Sequence, residues 1–206
     1  MEDITLNEFE KDALKEIGNI CSGNAATALS QLLQRKIDIN VPKILFLSLE
    51  DVPQAIGGAD KLVVGLILRV LGDLPGTMMF VFSQRDAFIL SSLMTGKEIN
   101  GGKIIGDMER SALKEIGVIL ANAYLGGLAS FVGMSLVPTV PELIEDMAGA
   151  MVDYILIELS SSTSFALLIE SEFLEPQTAL TGHFFLIPHG NSLNAILKSI
   201  GKTDFT

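Results

Sequence analysis

Three polar residues near the start of the chain, Asp12, Glu16 and Asn19, are spaced so that a helix would present them together. At roughly 100° per residue, their directions fall within about 60° of one another. The asparagine amide can hold a water molecule, and a carboxylate one turn away can engage a lysine or arginine of a partner. Orienting a water for in-line attack on a phosphoryl group needs little more, provided that the substrate supplies the metal and the leaving group. This is one possible chemistry among several.

The same residues also fit an ordinary solvated helix face, which is the commoner reason for acids and amides on a helix. Against it, Asn19 and Asn24 compete for backbone hydrogen bonds in mid-helix, and the glycines of GNICSGN weaken the helix further. A sequence selected for stability alone would avoid both features. The opposite side of the helix is predicted to face the core, through Leu14, Ile17, Cys21, Ala25, Ala28, Leu29 and Leu32.

The chain repeats itself after 99 residues, and the letters ALKEI recur unchanged from one copy to the other. The pairs that align across the repeat are Asp12 with Ser111, Glu16 with Glu115, Asn19 with Val118, and Pro42 with Pro141. Two copies of about a hundred residues indicate a duplicated domain, since a solenoid would need more and shorter units.

Each copy is predicted to begin with a long helix, about 6–35 and 107–132, with a Thr5–Glu8 capping box on the first and Asp107 as cap of the second. The predicted strands are 43–49, 61–70 and 77–83, then 150–159, 164–173 and 182–188; short helices are predicted at 85–96 and 192–200. Short links favour antiparallel pairing.

We therefore expect an α+β fold: a pseudo-twofold duplicated domain with a mostly antiparallel β-sheet and two long helices packed across it. The expected domain covers residues 1–206, with repeats of about 1–99 and 100–206.

The composition bounds the possible partners and the compartment. A net charge of −11 argues against nucleic acid or an anionic membrane as the main partner. The single cysteine, Cys21, suits a reducing cytoplasm, and its apolar surroundings indicate core packing. The acidic N-terminus lacks the pattern of a signal peptide. Residues 116–141 are uncharged and long enough to span a bilayer, but Asn122 and two prolines interrupt them, so we expect a buried or partner-covered helix and no membrane insertion.

The aligned residues match a longer pattern: Asp or Ser, three residues, Glu, two residues, Asn, twenty-two residues, Pro. Asp12, Glu16, Asn19 and Pro42 fit it at every spacing. With this motif and its duplicated layout, the sequence resembles the CheC/CheX/FliY group of response-regulator phosphatases from bacterial and archaeal chemotaxis. Two copies without an appended switch domain are most similar to the CheC members.

The resemblance implies a chemotaxis enzyme that dephosphorylates phospho-aspartate on the response regulator CheY. By that resemblance, Asn19 would position the attacking water and Glu16 would contact the active-site lysine of CheY. Magnesium would belong to the regulator, so no cofactor of its own is expected, and His183 and His189 are too scattered for a metal site. The resemblance also implies CheD, a receptor deamidase, as a partner.

The second copy departs from the pattern at one position. Ser111, Glu115 and Pro141 fit the motif, but Val118 has no donor or acceptor in the place of the asparagine. Asn122 lies one turn further on and could replace the asparagine, but its amide is displaced by about 6 Å along the helix axis, so we do not expect it to hold the water. We expect one working site. The alternatives are a non-catalytic module that binds CheY or CheD, and a structural component of the flagellar switch.

Overall fold

The computed structural model describes residues 7–96, 105–159, 165–175 and 178–200. The helices in these ranges are α1 (Glu8–Leu33), α2 (Val52–Ala55), α3 (Gln84–Thr95), α4 (Asp107–Val132), α5 (Ala148–Leu159) and α6 (Ser192–Ile200). The strands are β1 (Asp38–Ser48), β2 (Leu62–Gly72), β3 (Gly76–Ser83), β4 (Leu136–Pro138), β5 (Glu142–Met147), β6 (Phe165–Glu175) and β7 (Thr178–Pro188). A 3₁₀ turn over Leu49–Asp51 leads into α2.

These strands form one sheet in which every pairing is antiparallel. The order is β1-β6-β7-β3-β2-β4, and β5 also pairs with β2. The first copy of the repeat supplies β1 to β3 and the second supplies β4 to β7. The leading strand of each copy therefore pairs with the other copy, and the central β3–β7 pair joins the two. This confirms the pseudo-twofold α+β fold with an antiparallel sheet.

Both faces of the sheet are buried, so its central strands are apolar on both sides. In β3, Met78 and Phe80 pack beneath the long helices, whereas Met79 and Val81 pack on the opposite face, as expected from the alternation of a strand. Helices α1, α3, α4 and α6 cover the first face, and α2 and α5 cover the second. The layer formed by α2 and α5 is not predicted from the sequence.

The two long helices are in close contact at Gly127 of α4. A Cβ atom at this position would lie 2.9 Å from Cys21 Sγ and 3.2 Å from Cys21 Cα. Beside this contact, the Tyr124 hydroxyl lies 3.1 Å from Ser22 Oγ and 3.1 Å from Ser171 Oγ, which ties α1, α4 and β6 together. Burial raises the pKa of Tyr124, so the phenol stays neutral.

Gly127→Ala should lower the free energy of unfolding by about 1–3 kcal/mol, because the added methyl overpacks the helix crossing. Gly126 is the matched control, since a Cβ there meets nothing within 4 Å. Gly126→Ala should be neutral or stabilising by up to about 1 kcal/mol through helix propensity. Urea denaturation of the two variants measures the difference, and equal midpoints would contradict the close approach at Gly127.

The strand predicted over residues 150–159 is wrong, because α5 occupies this part of the chain. Its buried side chains are Ala148, Met151, Val152 and Ile155, which recur at the spacing of a helix face. An apolar run of this length fits a buried strand and a buried helix, and here the helical spacing decides. Strands β4 and β5, which stand where the first copy has β1, are not predicted.

The predicted cap of the first helix is also wrong. Helix α1 starts at Glu8, and its cap is Asn7, whose Oδ1 accepts from the Glu10 N–H at 2.9 Å. The Glu10 carboxylate accepts in turn from the Asn7 N–H at 2.9 Å, which completes a capping box. Thr5 lies outside the described residues. An asparagine caps as well as a threonine, so the sequence allowed either start.

The second long helix has the predicted bounds and a different cap. Asp107 is the first residue within α4 and does not cap it. Gly106 occupies the cap position, and its N–H donates to Glu109 Oε2 at 3.1 Å. Asp107 still lies in the first turn, where a negative charge interacts favourably with the helix dipole.

Helix α4 is long and apolar enough to cross a membrane by length and composition alone. However, 50% of its most apolar window is buried inside the protein. Leu113, Ile116 and Leu120 are fully buried in the core beneath α4. Its apolar character is therefore explained by packing against α1 and the sheet, as the sequence predicts.

Candidate functional site

The first candidate site lies on the solvent-facing side of α1. Asp12, Glu16 and Asn19 are all exposed, whereas Leu14 and Ile17 are each only 5% exposed and face the core. Because the apolar residues anchor one side of the helix on the sheet, the polar residues must share the other side. The helix thus presents an amide and two carboxylates on one open surface.

These polar side chains are not used to hold the fold together. Within the described part of the chain, Asp12, Glu16 and Asn19 make no side-chain hydrogen bond and no ion pair. The nearby Lys11 pairs instead with Glu8, at 2.7 Å between Nζ and Oε1. The Asn19 amide therefore keeps both a donor and an acceptor for water, and the Glu16 carboxylate is available to a cation of a partner.

The end of α1 is fastened to the strand that carries Pro42. Ser30 Oγ donates to the Ile37 carbonyl at 3.1 Å and accepts from the Ile37 N–H at 2.9 Å. Pro42 follows in β1, where the register with β6 shifts between Asn40 and Lys43. A bulge on an edge strand is a place where proline, which has no N–H, is tolerated. The four motif residues thus lie on two elements, α1 and β1.

The equivalent surface of the second copy lacks a free amide. Ser111 and Glu115 are exposed on α4, but Val118 is half-buried. Asn122, which the sequence offered as a substitute, turns its Nδ2 back to the Val118 carbonyl at 2.8 Å. Pro141 is buried, and its ring packs beneath Gly117. The second copy keeps the glutamate and the proline and presents an isopropyl group where the first presents an amide.

The cysteine and the two histidines, the other side chains with reactive groups, have structural surroundings. Burial raises the pKa of Cys21 to about 12, so its thiol is neutral and unreactive at ordinary pH. Burial also lowers the pKa of His183 on β7, although the charge of Glu170 opposes this shift. His189 is hydrogen-bonded to Thr77, with 3.0 Å between Nε2 and Oγ1. No group of three or more potential metal ligands occurs among the residues that the structure describes.

The residues that hold the site in place are not predicted from the sequence. Gly18, the residue before Asn19, packs against Ile44 of β1. Ser22, about one turn after Asn19, is hydrogen-bonded to Tyr124 of α4. For Gly18 a signal was present, because the glycine recurs as Gly117 directly after the repeated ALKEI. The bond between Tyr124 and Ser22 joins residues far apart in the chain, and no pattern in the sequence marks it.

Solved structures of other proteins share this fold. The FliY structure from Thermotoga maritima superposes with a TM-score of 0.80 at 19% identity, over 98% of this chain and all (100%) of that one. The structure of the CheX-CheY-BeF3-Mg+2 complex from Borrelia burgdorferi matches with a TM-score of 0.53 at 17% identity, over 82% of this chain and 95% of that one. At these identities the similarity concerns the fold.

Comparison of sequences gives relatives at higher identity than these structures. Residues 9–45, which contain the whole of the first motif, match the model of the CheC-like family. The CheY-P phosphatase CheC of Bacillus subtilis is 37% identical over 203 residues, which cover 96% of this chain and 97% of that protein. A similarity of this extent, together with the shared fold, establishes that the chain belongs to the CheC-like family.

Proposed function

We propose that this protein stimulates hydrolysis of the aspartyl-phosphate of the response regulator CheY. The observation that carries the proposal is the exposed amide of Asn19, one turn from the carboxylate of Glu16, neither of which has a hydrogen-bond or ion-pair partner among the described residues. These residues lie within the segment that matches the CheC-like family. The relative in Bacillus subtilis, whose name is CheY-P phosphatase CheC, supports the substrate.

Asn19 acts by orienting a water molecule and does not take its proton. The amide nitrogen donates to the water and the amide oxygen accepts from it, which aims the water oxygen at phosphorus along the line of the leaving group. A bond forms from the water oxygen to phosphorus as the bond from phosphorus to the aspartate oxygen breaks. The water oxygen becomes the fourth oxygen of inorganic phosphate, which leaves as H2PO4− or passes one of the two water protons to solvent, and the electron pair of the broken bond stays on the free carboxylate of the regulator.

Glu16 holds the regulator in register with Asn19. Its carboxylate pairs with the active-site lysine of CheY, while Asp12 and Pro42 support the same docking surface. The magnesium ion, which neutralises charge on the phosphoryl oxygens, is supplied by the regulator. The composition of the Borrelia burgdorferi complex, CheX with CheY, BeF3 and Mg, is consistent with this division of roles.

CheD is the second partner that we propose, on the basis of the family resemblance alone. In this proposal the protein is cytoplasmic, and residues 1–206 act as one unit of two repeats. CheD should form a complex with the purified protein and increase the rate at which phosphorylated CheY loses phosphate. Size-exclusion chromatography of the mixture tests the complex, and the dephosphorylation assay tests the effect on the rate.

The experiment that tests the proposed function follows phosphorylated CheY in the presence of catalytic amounts of this protein, with and without CheD. The proposal requires several regulator molecules to be dephosphorylated per molecule of protein. If the protein binds phosphorylated CheY without shortening its lifetime, it is a binding module and the catalytic proposal is wrong.

The proposal includes a single active site, because Val118 can neither donate nor accept a hydrogen bond. Val118→Ala should leave the rate unchanged. Val118→Asn should add a second site and raise the rate by up to about twofold, since turnover is proportional to the number of sites.

The sharper form of this test uses protein that already carries Asn19→Ala. In that background, Val118→Asn should restore measurable hydrolysis, and Val118→Ala is the matched control that should not. A fall in the rate on Val118→Ala alone would contradict the single-site proposal.

A further inference from the structure

Gly18 and its repeat partner Gly117 are buried where a long helix touches a strand. A Cβ atom at Gly18 would lie 2.6 Å from Ile44 Cδ1 on β1, and 3.8 Å from Ile169 Cδ1 on β6. At Gly117 the corresponding distances are 3.1 Å to Leu66 Cδ1 and 3.3 Å to Pro141 Cγ. In both copies the end of a side chain from a strand, Ile44 in the first and Leu66 in the second, therefore lies closer to the added Cβ atom than ordinary packing allows.

Other glycines in the same helices have no such neighbours. A Cβ atom at Gly23 of α1, or at Gly126 of α4, meets nothing within 4 Å. Glycine costs about 1 kcal/mol relative to alanine in a helix interior, so one that recurs at the same place in both copies needs a reason. At Gly18 and Gly117 the reason is the short distance between helix and strand.

Asn19 directly follows Gly18, and Pro42 precedes Ile44 by two residues on β1. The contact between Gly18 and Ile44 therefore joins α1 and β1, the two elements that carry the motif, at a point near Asn19 on α1 and Pro42 on β1. Carbon atoms pack best at about 3.5–4.0 Å, so an alanine at position 18 would require α1 to move away from β1 by roughly 1 Å, or Ile44 to give way.

We propose that Gly18 is a positioning residue for dephosphorylation: it sets the separation between α1, which carries Glu16 and Asn19, and β1, which carries Pro42. The inference rests on the proposed function of Asn19. A regulator docked on both elements meets the amide at the correct place only when α1 lies at this distance from β1. Attack by an oriented water is sensitive to displacements of about 1 Å, which can cost on the order of 100-fold in rate.

The test begins with Gly18→Ala, assayed with phosphorylated CheY at varied concentration. We expect kcat to fall by about 10- to 100-fold while KM changes by less than about threefold, because a shift of about 1 Å misaligns the water held by Asn19, whereas the flexible Glu16 side chain on the same helix can still reach its lysine. Gly126→Ala makes the same chemical change in the twin helix at an open position and should retain the wild-type kcat. Circular dichroism and thermal unfolding show whether each variant is folded.

A second substitution makes the inference specific to this contact. Valine lacks the Cδ1 atom of isoleucine, which is the one atom closer than 3.8 Å to the added methyl. Gly18→Ala combined with Ile44→Val exchanges one methyl group for another and should restore kcat to within about threefold of wild type. Because the double substitution relieves overpacking as well as displacement, thermal unfolding of the single and double variants shows whether Gly18→Ala is fully folded at the assay temperature, which a loss of kcat through positioning requires.

The outcomes separate this inference from the function on which it rests. If the wild type does not stimulate hydrolysis, or if Asn19→Ala remains active, the proposed function of the site is wrong. If Asn19→Ala is inactive but Gly18→Ala has the wild-type kcat, Gly18 has no positioning role. A loss in Gly18→Ala that Ile44→Val does not restore likewise overturns the inference.

Discussion

Replacing Asn19 by alanine should abolish stimulated hydrolysis of phosphorylated CheY, with kcat/KM lower by at least about 100-fold, because no other group at the site can orient the water. The side chain is exposed and makes no hydrogen bond within the described protein, so its removal takes nothing from the fold. Alanine is also the better helix former, so α1 should be at least as stable as before. The rate of phosphate loss from the regulator, measured at limiting regulator concentration, gives kcat/KM directly.

Asn24→Ala is the matched control for this experiment, since it removes an exposed amide from the same helix at a position about 140° away around the axis. It should have wild-type activity. Asn19→Asp keeps the shape of the side chain, removes its donor and adds a negative charge facing the phosphoryl group, and it should be as inactive as the alanine variant. Substantial hydrolysis by Asn19→Ala would show that the water is held elsewhere.

The parts of the fold that the sequence predicts are those with a long or repeated signal. Helices α1 and α4 are long amphipathic segments, and the 99-residue repeat requires that both occur in equivalent places. Strands β2 and β3 are apolar runs on either side of a short turn, which makes a hairpin the simplest solution. The strand exchange between the copies has no such signal, because β1 and β6 are brought together by tertiary packing alone.

Prediction fails where one local pattern fits two structures. The apolar run of α5 satisfies a buried strand as well as a buried helix, and only its packing on the second face of the sheet selects the helix. The prediction of the helix caps fails for a related reason. The residues at the two helix starts are all of types found there: Thr5, Asn7, Gly106 and Asp107. A difference of one or two residues in the start of a helix costs too little energy to be visible in the sequence.

At the candidate site, the sequence predicts which residues share a surface and does not predict how that surface is held. The common face of Asp12, Glu16 and Asn19 follows from helix geometry alone. The contact between Gly18 and Ile44 depends on the depth at which α1 lies on the sheet, which is a property of the whole core.

Reversing the charge of Glu16 should weaken docking of the regulator more than it slows the chemical step. Glu16→Lys places an ammonium group opposite the lysine that the carboxylate is proposed to bind. Loss of such a pair at an interface costs at least about 2 kcal/mol, which corresponds to a KM higher by about 30-fold. At saturating regulator, kcat should fall by less than about threefold, because the Asn19 amide is intact.

The controls for Glu16→Lys separate a specific contact from a change in overall charge. Glu50→Lys alters the net charge by the same amount at an exposed position in the turn before α2, and it should leave KM unchanged. Glu16→Gln keeps the shape and removes the charge, so its KM should lie between those of wild type and Glu16→Lys. Since salt screens the repulsion between exposed charges, the difference between Glu16→Lys and wild type should narrow as ionic strength rises. If Glu50→Lys raises KM as much as Glu16→Lys does, the effect belongs to long-range steering by the acidic protein, and Glu16 makes no specific contact with the regulator.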